Sequence, residues 1–192
     1  MRIIGGFLKG RSILPPHLTA RPTTDFAKEG LFNVLLNDYD LEQVTVLDLF
    51  GGSGSISFEL ASRGCPHITC VEMNPQHALF IKKTAKQLNI NTLRVVRHNV
   101  FDFINVCTQT YDIIFADPPF DLPGVDTLPE KIREKQLLRP KGVFILEHSD
   151  SFDFSATEGF SKMKKYGAVR FSFFSFDHFF LYDPKKCLHL QP

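Results

Sequence analysis

Hydrophobic and polar positions along the chain alternate between a period of two and a period of 3.6, which predicts strands and helices in turn. Short β-branched apolar runs predict strands at about 44–50, 67–72, 92–97, 111–116 and 142–147. Segments with helical spacing between and after them predict helices at about 55–63, 75–88, 100–107 and 127–138. This alternation predicts an α/β fold with a doubly wound, mostly parallel sheet. Two further apolar runs, near 168–176 and 178–182, predict an antiparallel pair at the sheet edge and bring the total to seven strands.

The segment before the first core strand has a different character. Residues 2–14 are typical of a β-hairpin, with glycines at the turn positions. A helix is predicted from about 25 to 37, with Thr24 and Asp25 at its start. Its apolar positions, expected to form one face, are Phe26, Leu31, Phe32, Leu35 and Leu36. We therefore divide the chain into an N-terminal hairpin and helix extension, 1–40, and a core, 41–192.

The first core strand ends in a glycine-rich turn that precedes a helix. This segment reads DLFGGSGSIS from Asp48 to Ser57. Glycines allow a backbone to approach a ligand closely. The dinucleotide fingerprint needs a third small residue where Ser57 stands, and no phosphate-binding P-loop motif is present. A turn of this kind on its own is weak evidence for a ligand site, because many such turns serve only packing.

Glu72 ends the next predicted strand, 18 residues after Gly54. A carboxylate at that position is suited to accept hydrogen bonds from both hydroxyls of a ribose. Pro75 begins the following helix, so Glu72 also fits the role of an acid that stabilises a helix N-terminus. In combination with the glycine turn, we favour the ribose role.

The predicted strand at 111–116 stops at Asp117, Pro118, Pro119 and Phe120. Prolines cannot continue a central strand, so the Asp117 carboxylate is presented at the strand's carboxyl end on a stiff backbone. Ligands bind at that end in open α/β sheets. An acceptor-only carboxylate beside an aromatic ring suits an exocyclic amine on a planar base. An isolated motif of this kind would be interpreted as a proline-rich turn.

Composition is compatible with one domain of 192 residues that contains 20 phenylalanines and no tryptophan. The four cysteines have no metal-ligand spacing and form no disulfide framework, so no metal is expected. No apolar run approaches the roughly 18 residues that cross a membrane, and the N-terminus lacks a signal-peptide layout. We expect a cytoplasmic protein with no membrane partner.

The net charge of +1 conceals an uneven distribution. Residues 1–24 contain four basic residues and no acid, which favours contact with a polyanion such as RNA. These candidate RNA-binding residues are Arg2, Lys9, Arg11 and Arg21. We interpret a second basic group, at Lys82, Lys83 and Lys86, as a solvated helix face.

Five motifs carry a resemblance to a known family over nearly the whole chain. They are RIIGGFLKGR at 2–11, RPTTDFAKEGLFNVL at 21–35, DLFGGSGSISFELASRG at 48–64, VEMN at 71–74 and DPPF at 117–120. The chain resembles the class I S-adenosylmethionine-dependent methyltransferases, and specifically the RsmD family of bacterial 16S rRNA guanine-N2 methyltransferases. The N-terminal motifs are the most specific to that family. Three positions depart from its usual pattern, namely Lys28 for arginine, Gly51 for alanine and Asn99 for aspartate.

The resemblance implies a Rossmann-like fold, S-adenosylmethionine as cofactor, 16S rRNA or the small ribosomal subunit as partner, and a monomer. The catalytic residues it implies, which handle the amine and stack on the base, are Asp117, Pro118, Pro119 and Phe120. The cofactor-binding residues it implies are Asp25, Asp48, Phe50, Gly51, Gly52, Gly54, Glu72, Met73, Asn99 and Val100. Among these, Asp48 and the glycine turn would hold the methionine part, Glu72 the ribose, and Asn99 with Val100 the adenine. Asp25 would either close over the methionine end or simply cap a helix.

Two functions from other classes are compatible with parts of the sequence. A DNA adenine-N6 methyltransferase uses the same acid-Pro-Pro-aromatic arrangement, although only some 40 residues precede the first core strand here. A non-catalytic S-adenosylmethionine-binding or RNA-binding module is disfavoured by the complete DPPF motif. His148, after the fifth predicted strand, is expected at the surface.

Overall fold

Seven strands form a single sheet in the order β3-β2-β1-β4-β5-β7-β6. The computed structural model describes residues 1–15, 24–119 and 121–176. The strands are β1 Thr45–Leu49, β2 His67–Val71, β3 Leu93–Val96, β4 Tyr111–Ala116, β5 Leu138–His148, β6 Phe160–Tyr166 and β7 Val169–Phe174. The first five are parallel, and β7 is antiparallel to both of its neighbours. The predicted fold class, a doubly wound and mostly parallel sheet of seven strands, is confirmed.

Five helices cover the two faces of this sheet. They are α1 Asp25–Asp38, α2 Ser55–Ser62, α3 Pro75–Gln87, α4 Val100–Val106 and α5 Leu128–Glu134. Apolar side chains of α1, α2 and α3 pack in one core, and those of α4 and α5 pack in a second core on the other face. None of the helices in the described ranges is long and apolar enough to cross a membrane.

The antiparallel edge of the sheet differs from the prediction. We expected 168–176 to pair with 178–182, but β7 pairs with β5 on one side and with β6 on the other. The segment 178–182 lies outside the described residues. No strand is predicted at β6 because residues 161–165 are all exposed, so the segment lacks the alternation of apolar and polar residues that marks a half-buried strand.

The buried face of α1 also differs from the prediction. Phe26 and Leu36 are 67% and 49% exposed, so they do not share a face with Leu31 and Leu35. At 100° per residue the sheet-facing stripe instead runs through positions spaced by three and four. Its buried residues are Ala27, Lys28, Gly30, Leu31, Phe32 and Leu35. A buried lysine in this stripe was not predicted, because periodicity arguments assign charged residues to the solvent.

The boundary between α5 and β5 lies earlier than predicted. The helix was expected to reach residue 138, but it ends at Glu134 because Gln136 takes a positive φ of 51°. The backbone N–H of Leu137 then bonds to the Ile132 carbonyl, and the chain enters β5 at Leu138. The strand is therefore longer at its start than its apolar run at 142–147 indicated.

The N-terminal arm, residues 1–15, packs along α2. It turns back on itself through one antiparallel bridge, between Arg2 and Ser12, which supports the predicted hairpin. Ile3 and Ile13 are buried in the same core as α1 and α2. At the far end of the arm, the Phe7 N–H donates to the Ser62 carbonyl, 2.8 Å away. The arm is thus attached along the whole length of the helix.

A buried carboxylate, Glu59 on α2, joins the arm and two helices. It is fully buried and accepts hydrogen bonds from the Ile4 N–H at 2.9 Å and from Arg63 Nε at 2.8 Å. The ammonium of Lys28, 1% exposed, lies 3.6 Å from it and donates to the Arg2 carbonyl at 2.5 Å. Burial lowers the pKa of Lys28, and the nearby Glu59 charge opposes that shift.

Removing the Glu59 carboxylate should be strongly destabilising. In Glu59→Ala the Lys28 ammonium stays buried without its counter-ion, so we expect the free energy of unfolding to fall by about 3–5 kcal/mol. Urea unfolding followed by circular dichroism measures this loss. The matched control is Glu158→Ala, whose carboxylate is 73% exposed beside Arg133, and its loss should stay below about 1 kcal/mol. Equal losses in the two variants would contradict the role given to Glu59.

Candidate functional site

Sheet register brings the predicted site residues together. Leu49, the last residue of β1, pairs with Val71 of β2 and with Ala116 of β4. The next residue on each strand is a predicted site residue: Phe50, Glu72 and Asp117. Neighbouring strands lie about 4.8 Å apart, so these three residues stand side by side at the carboxyl edge. The glycine turn, Glu72 and the Asp-Pro-Pro segment therefore lie at one edge of the sheet, as residues of a shared ligand site must.

The glycine turn connects β1 to α2 in a conformation with several positive φ angles. Phe50 has a φ of 66°, which is unfavourable for a residue with a side chain and is found most often at functional sites. Gly54 has a φ of 78° and is the N-cap residue of α2, without a capping side chain. Glycine is needed there because other residues seldom take this conformation. Gly54 itself has no side chain that could cap the first amides of α2.

Gly51 is in tight contact with the neighbouring strand. Its N–H donates to the Val71 carbonyl at 2.8 Å. A methyl group on its Cα would overlap the sulfur of Cys70, which is buried on β2. The departure from the family's alanine at this position therefore has a packing reason, since the Cys70 side chain occupies the space that an alanine needs.

The Glu72 carboxylate links the glycine turn to the end of β2. One oxygen accepts from the Gly52 N–H at 2.6 Å and the other from the Asn74 N–H at 2.7 Å. Asn74 is the N-cap of α3, so Glu72 does act at a helix start, as one of the two interpretations held. Each carboxylate oxygen has a second lone pair and can accept one further hydrogen bond from a ligand hydroxyl.

Asp48 lies within β1, with its side chain buried beneath the turn. It is 2% exposed, and its Oδ2 accepts from Ser57 Oγ at 2.5 Å. Burial raises the pKa of Asp48 to about 7, the hydrogen bonds from Ser57 oppose the rise, and the Glu72 charge adds to it. Ser57 was treated only as a departure from the dinucleotide fingerprint. The structure gives it a positive role, which its place in the third small-residue position could have suggested.

Asn99 and Met73 meet at the ends of β3 and β2. Asn99 is the N-cap of α4, and its Oδ1 accepts from the Phe101 N–H at 2.9 Å and from the Asp102 N–H at 3.3 Å. Its Nδ2 lies 3.8 Å from the sulfur of Met73. Because capping uses the oxygen, the side chain offers a donor rather than an acceptor to a ligand at this edge. Val100 is buried as the first residue of α4.

Asp117 and the two prolines follow β4. Asp117 is half-buried, Pro118 is buried and Pro119 is exposed. The Leu122 N–H donates to the Pro119 carbonyl at 3.0 Å, so the chain turns directly after the prolines. Phe120 lies outside the described residues. Two rigid residues therefore fix the position of the Asp117 backbone at the edge of the site.

The basic residues predicted to bind RNA are distributed along the arm. Arg2, Lys9 and Arg11 are exposed, and Arg21 lies outside the described residues. Arg2 Nε bonds to the Asp25 carboxylate at 3.1 Å. Thr24, rather than Asp25, caps α1 through its Oγ1, which accepts from the Ala27 N–H. Asp25 is therefore the first helical residue, with its carboxylate on Arg2.

His148 is buried, contrary to the expectation of a surface residue. It ends β5, where one ring nitrogen lies 2.8 Å from Ser172 Oγ and the other lies 2.7 Å from the Ser149 carbonyl. Its ring contacts the edge of Phe154 at a centroid distance of 4.9 Å. Burial lowers the pKa of His148. Within the described ranges, no group of three His, Cys, Asp or Glu side chains could hold a metal ion.

Comparison with known proteins agrees with this arrangement. The model of the family described as "Conserved hypothetical protein 95" matches residues 1–175. "Ribosomal RNA small subunit methyltransferase D" of Buchnera aphidicola subsp. Baizongia pistaciae is 38% identical over 100 residues, which are 52% of this chain and 50% of that protein. The Haemophilus influenzae protein of the same name is 30% identical over 86% of this chain and 87% of its own length.

Solved structures also resemble this fold. A structure from Escherichia coli, described as a "putative methyltransferase", superposes with a TM-score of 0.80 at 28% identity. The superposition covers 92% of this chain and 98% of that one. The family match over most of the chain, the Haemophilus relative and this structural likeness agree with one another. The chain belongs to the RsmD family of methyltransferases.

Proposed function

We propose that the protein transfers a methyl group from S-adenosylmethionine to the exocyclic N2 amine of a guanine in 16S rRNA. The observation that carries this proposal is the register of the sheet, which aligns Asp117 with the glycine turn and Glu72 at one edge. Membership of the family, and the names of its ribosomal RNA relatives, support rRNA as the substrate. The small ribosomal subunit is then the natural partner.

The chemistry required of Asp117 and Pro118 follows from the amine. A guanine 2-amino group is a poor nucleophile because its lone pair is delocalised into the ring. When the Asp117 carboxylate and the Pro118 carbonyl accept its two N–H bonds, the nitrogen is drawn toward tetrahedral geometry. Its lone pair would then be directed at the sulfonium methyl, whose bond to sulfur would break as the N–C bond forms, and the proton lost by the amine would pass to the Asp117 carboxylate or to water. Catalysis of this kind consists of positioning and electrostatics, and it needs no covalent nucleophile.

The cofactor would lie across the ends of β1, β2 and β3. The Asp48 carboxylate and the amides after Gly54 would hold the methionine part. The remaining lone pairs of Glu72 would accept hydrogen bonds from the ribose hydroxyls. Asn99 Nδ2 would donate to a ring nitrogen of the adenine, and Met73 and Val100 would supply apolar contacts to it. A neutral amide thus replaces the acceptor that an aspartate would offer to the adenine amine. S-Adenosylmethionine supplies the electrophilic methyl group when it is bound.

RNA binding would involve both the target base and its backbone. The guanine must leave its stack to reach the site, which costs a few kcal/mol and favours unpaired nucleotides. Phe120 stacks on the extruded base, and the exposed basic residues of the arm contact phosphates. The ion pair between Arg2 and Asp25 holds the start of α1 next to the arm. From there Asp25 would border the methionine end of the cofactor.

Replacing Asp117 should separate chemistry from cofactor binding. Asp117→Ala is expected to reduce kcat by about 100-fold or more, because an acceptor aimed at the reacting amine is lost. S-Adenosylmethionine affinity, measured by calorimetry, should stay as in the wild type. Asp117→Asn should lose less, since an amide oxygen still accepts one bond. Retention of more than a tenth of the wild-type kcat by the alanine variant would contradict the role.

Replacing Glu72 should weaken binding of the cofactor but not binding of RNA. Glu72→Gln is expected to weaken S-adenosylmethionine binding by about 1–3 kcal/mol, because hydrogen bonds to a charged acceptor are lost. RNA affinity without cofactor should not change. Thermal melting of the variant controls for the bonds to Gly52 and Asn74. Unaltered cofactor affinity in a folded variant would leave Glu72 as a helix-end acid alone.

Cofactor affinity should rise with pH as Asp48 ionises. The pKa of Asp48 is raised to about 7, so below pH 7 the carboxyl is mostly protonated in the free protein. The cofactor ammonium remains charged there and binds the ionised form, so affinity should increase by up to about tenfold per pH unit between pH 5.5 and 7. Calorimetry at several pH values measures this slope. Asp48→Asn should flatten it, and an equal slope in that variant would exclude Asp48 as its source.

A further inference from the structure

The outer edge of the sheet is formed by a strand rich in lysine. Residues 161–165 of β6 are exposed, and they include Lys162, Lys164 and Lys165. Arg170 on β7 is the register partner of Lys165. One role of lysines on an edge strand is to prevent the strand from pairing with other chains. Their position in the sheet and their charge environment indicate a further role.

The register of the sheet places Lys164 level with Asp117, and Lys165 one residue beyond it. Ala116 pairs with Leu146 on β5, so Asp117 is level with Glu147. Glu147 pairs with Phe171 on β7, and Phe171 pairs with Lys164 on β6. Three strand spacings separate Asp117 from Lys164, on the order of 14 Å. Lys164 and Lys165 therefore lie at the same edge of the sheet as the amine-binding residues.

Lys164 and Lys165 are also the least neutralised of the basic residues on this edge. Lys162 lies 3.4 Å from the Asp38 carboxylate, and Arg170 lies 3.9 Å from that of Asp150. Among the described residues, no carboxylate is within ion-pair distance of Lys164 or Lys165. The Arg170 Nε is buried, and it has no hydrogen-bond partner among the residues that the structure describes. Lys164 and Lys165 thus present unmatched positive charge to the solvent.

An exposed aromatic ring adjoins this edge. Phe26, in the first turn of α1, is 67% exposed and contacts Tyr166 of β6 edge-on at a centroid distance of 5.8 Å. Tyr166 packs against Gly30, where any side chain would overlap the ring. The end of β6 is therefore fixed against the start of α1. An exposed aromatic beside basic side chains is the usual combination for binding a single-stranded nucleic acid.

Two of the arm's exposed cations, Lys9 and Arg2, are poorly placed to contact phosphates next to the target base. Its turn is bonded to Ser62, the last residue of α2, and α2 runs away from the carboxyl edge for about 12 Å. Lys9, in that turn, is therefore remote from Asp117. Arg2 is nearer, but its guanidinium is bonded to Asp25. Phosphates close to the target base need cations at the carboxyl edge, and β6 supplies them.

We propose that Lys164, Lys165, Arg170 and Phe26, together called the β6 basic edge, bind the RNA strand that flanks the target guanine. The proposal deepens the proposed function and rests on it, since it adds a surface for the same substrate. Contacts with phosphates fix the register of the RNA and contribute a salt-dependent part of the affinity. The exposed Phe26 ring stacks on an unpaired base next to them.

A double substitution with a matched control tests the surface. The probe is the small ribosomal subunit purified from cells that lack this gene. Lys164→Gln with Lys165→Gln should weaken subunit binding by roughly tenfold at physiological salt, and each lost contact should flatten the plot of log affinity against log salt by about 0.7–0.9. Lys82→Gln with Lys83→Gln removes the same charge from exposed positions on α3 and should leave the affinity as in the wild type.

The outcomes distinguish the surface from the reaction. If subunit binding weakens equally in both double variants, or in neither, the β6 basic edge is overturned. Methylation of the subunit by the wild type would in that case still support the proposed function. Selective weakening in the β6 variant supports the surface, even if the wild type binds the subunit without methylating it, which overturns the proposed reaction alone. A wild type that does not bind the subunit overturns both. Thermal melting of each variant excludes unfolding as the cause.

Discussion

The arrangement of the site depends on one buried carboxylate, Glu59, and on the three segments that it joins. A charge without solvent is stable only when its partners satisfy it, and here these partners come from the arm, α1 and α2. Lys28 also lies 3.4 Å from Ser55 Oγ, the first side chain after the glycine turn. The network therefore connects the arm to the turn that borders the cofactor site. Lys28 makes all of these contacts through a single ammonium.

At the carboxyl edge of the sheet, rigid elements fix the positions of the site residues and polar groups bind the ligand. Parallel strands bring Phe50, Glu72 and Asp117 into line, and the prolines prevent Asp117 from continuing the ladder. Glu72 binds two backbone amides while its remaining lone pairs stay available to a ligand. The raised pKa of Asp48 reflects its burial, and a cationic ligand would lower it again. Such an edge is organised before any substrate arrives.

Much of this could be predicted because the signals are local. The buried strands β1, β2 and β4 are mostly apolar, and a glycine turn or a pair of prolines marks where two of them end. What was missed depends on contacts distant in sequence. The Lys28–Glu59 pair joins residues on different helices, and β6 is a strand only because β7 pairs with it. His148 is buried in contacts with residues later in the chain, among them Ser172, 24 residues away, which is hydrogen-bonded to its ring. The outward direction of Phe26 depends on helix phase, which a list of apolar residues does not give.

The contact between Gly51 and Cys70 constrains the order in which this site can change in evolution. An alanine at position 51 overlaps the Cys70 sulfur, so Gly51→Ala alone is strained. Cys70→Ala removes that sulfur and leaves a small void beneath the turn, which a methyl at position 51 can then fill. The two substitutions are therefore non-additive, and only the path through residue 70 avoids a disfavoured intermediate. Within the family, the residue found at 51 should follow the size of the side chain at 70.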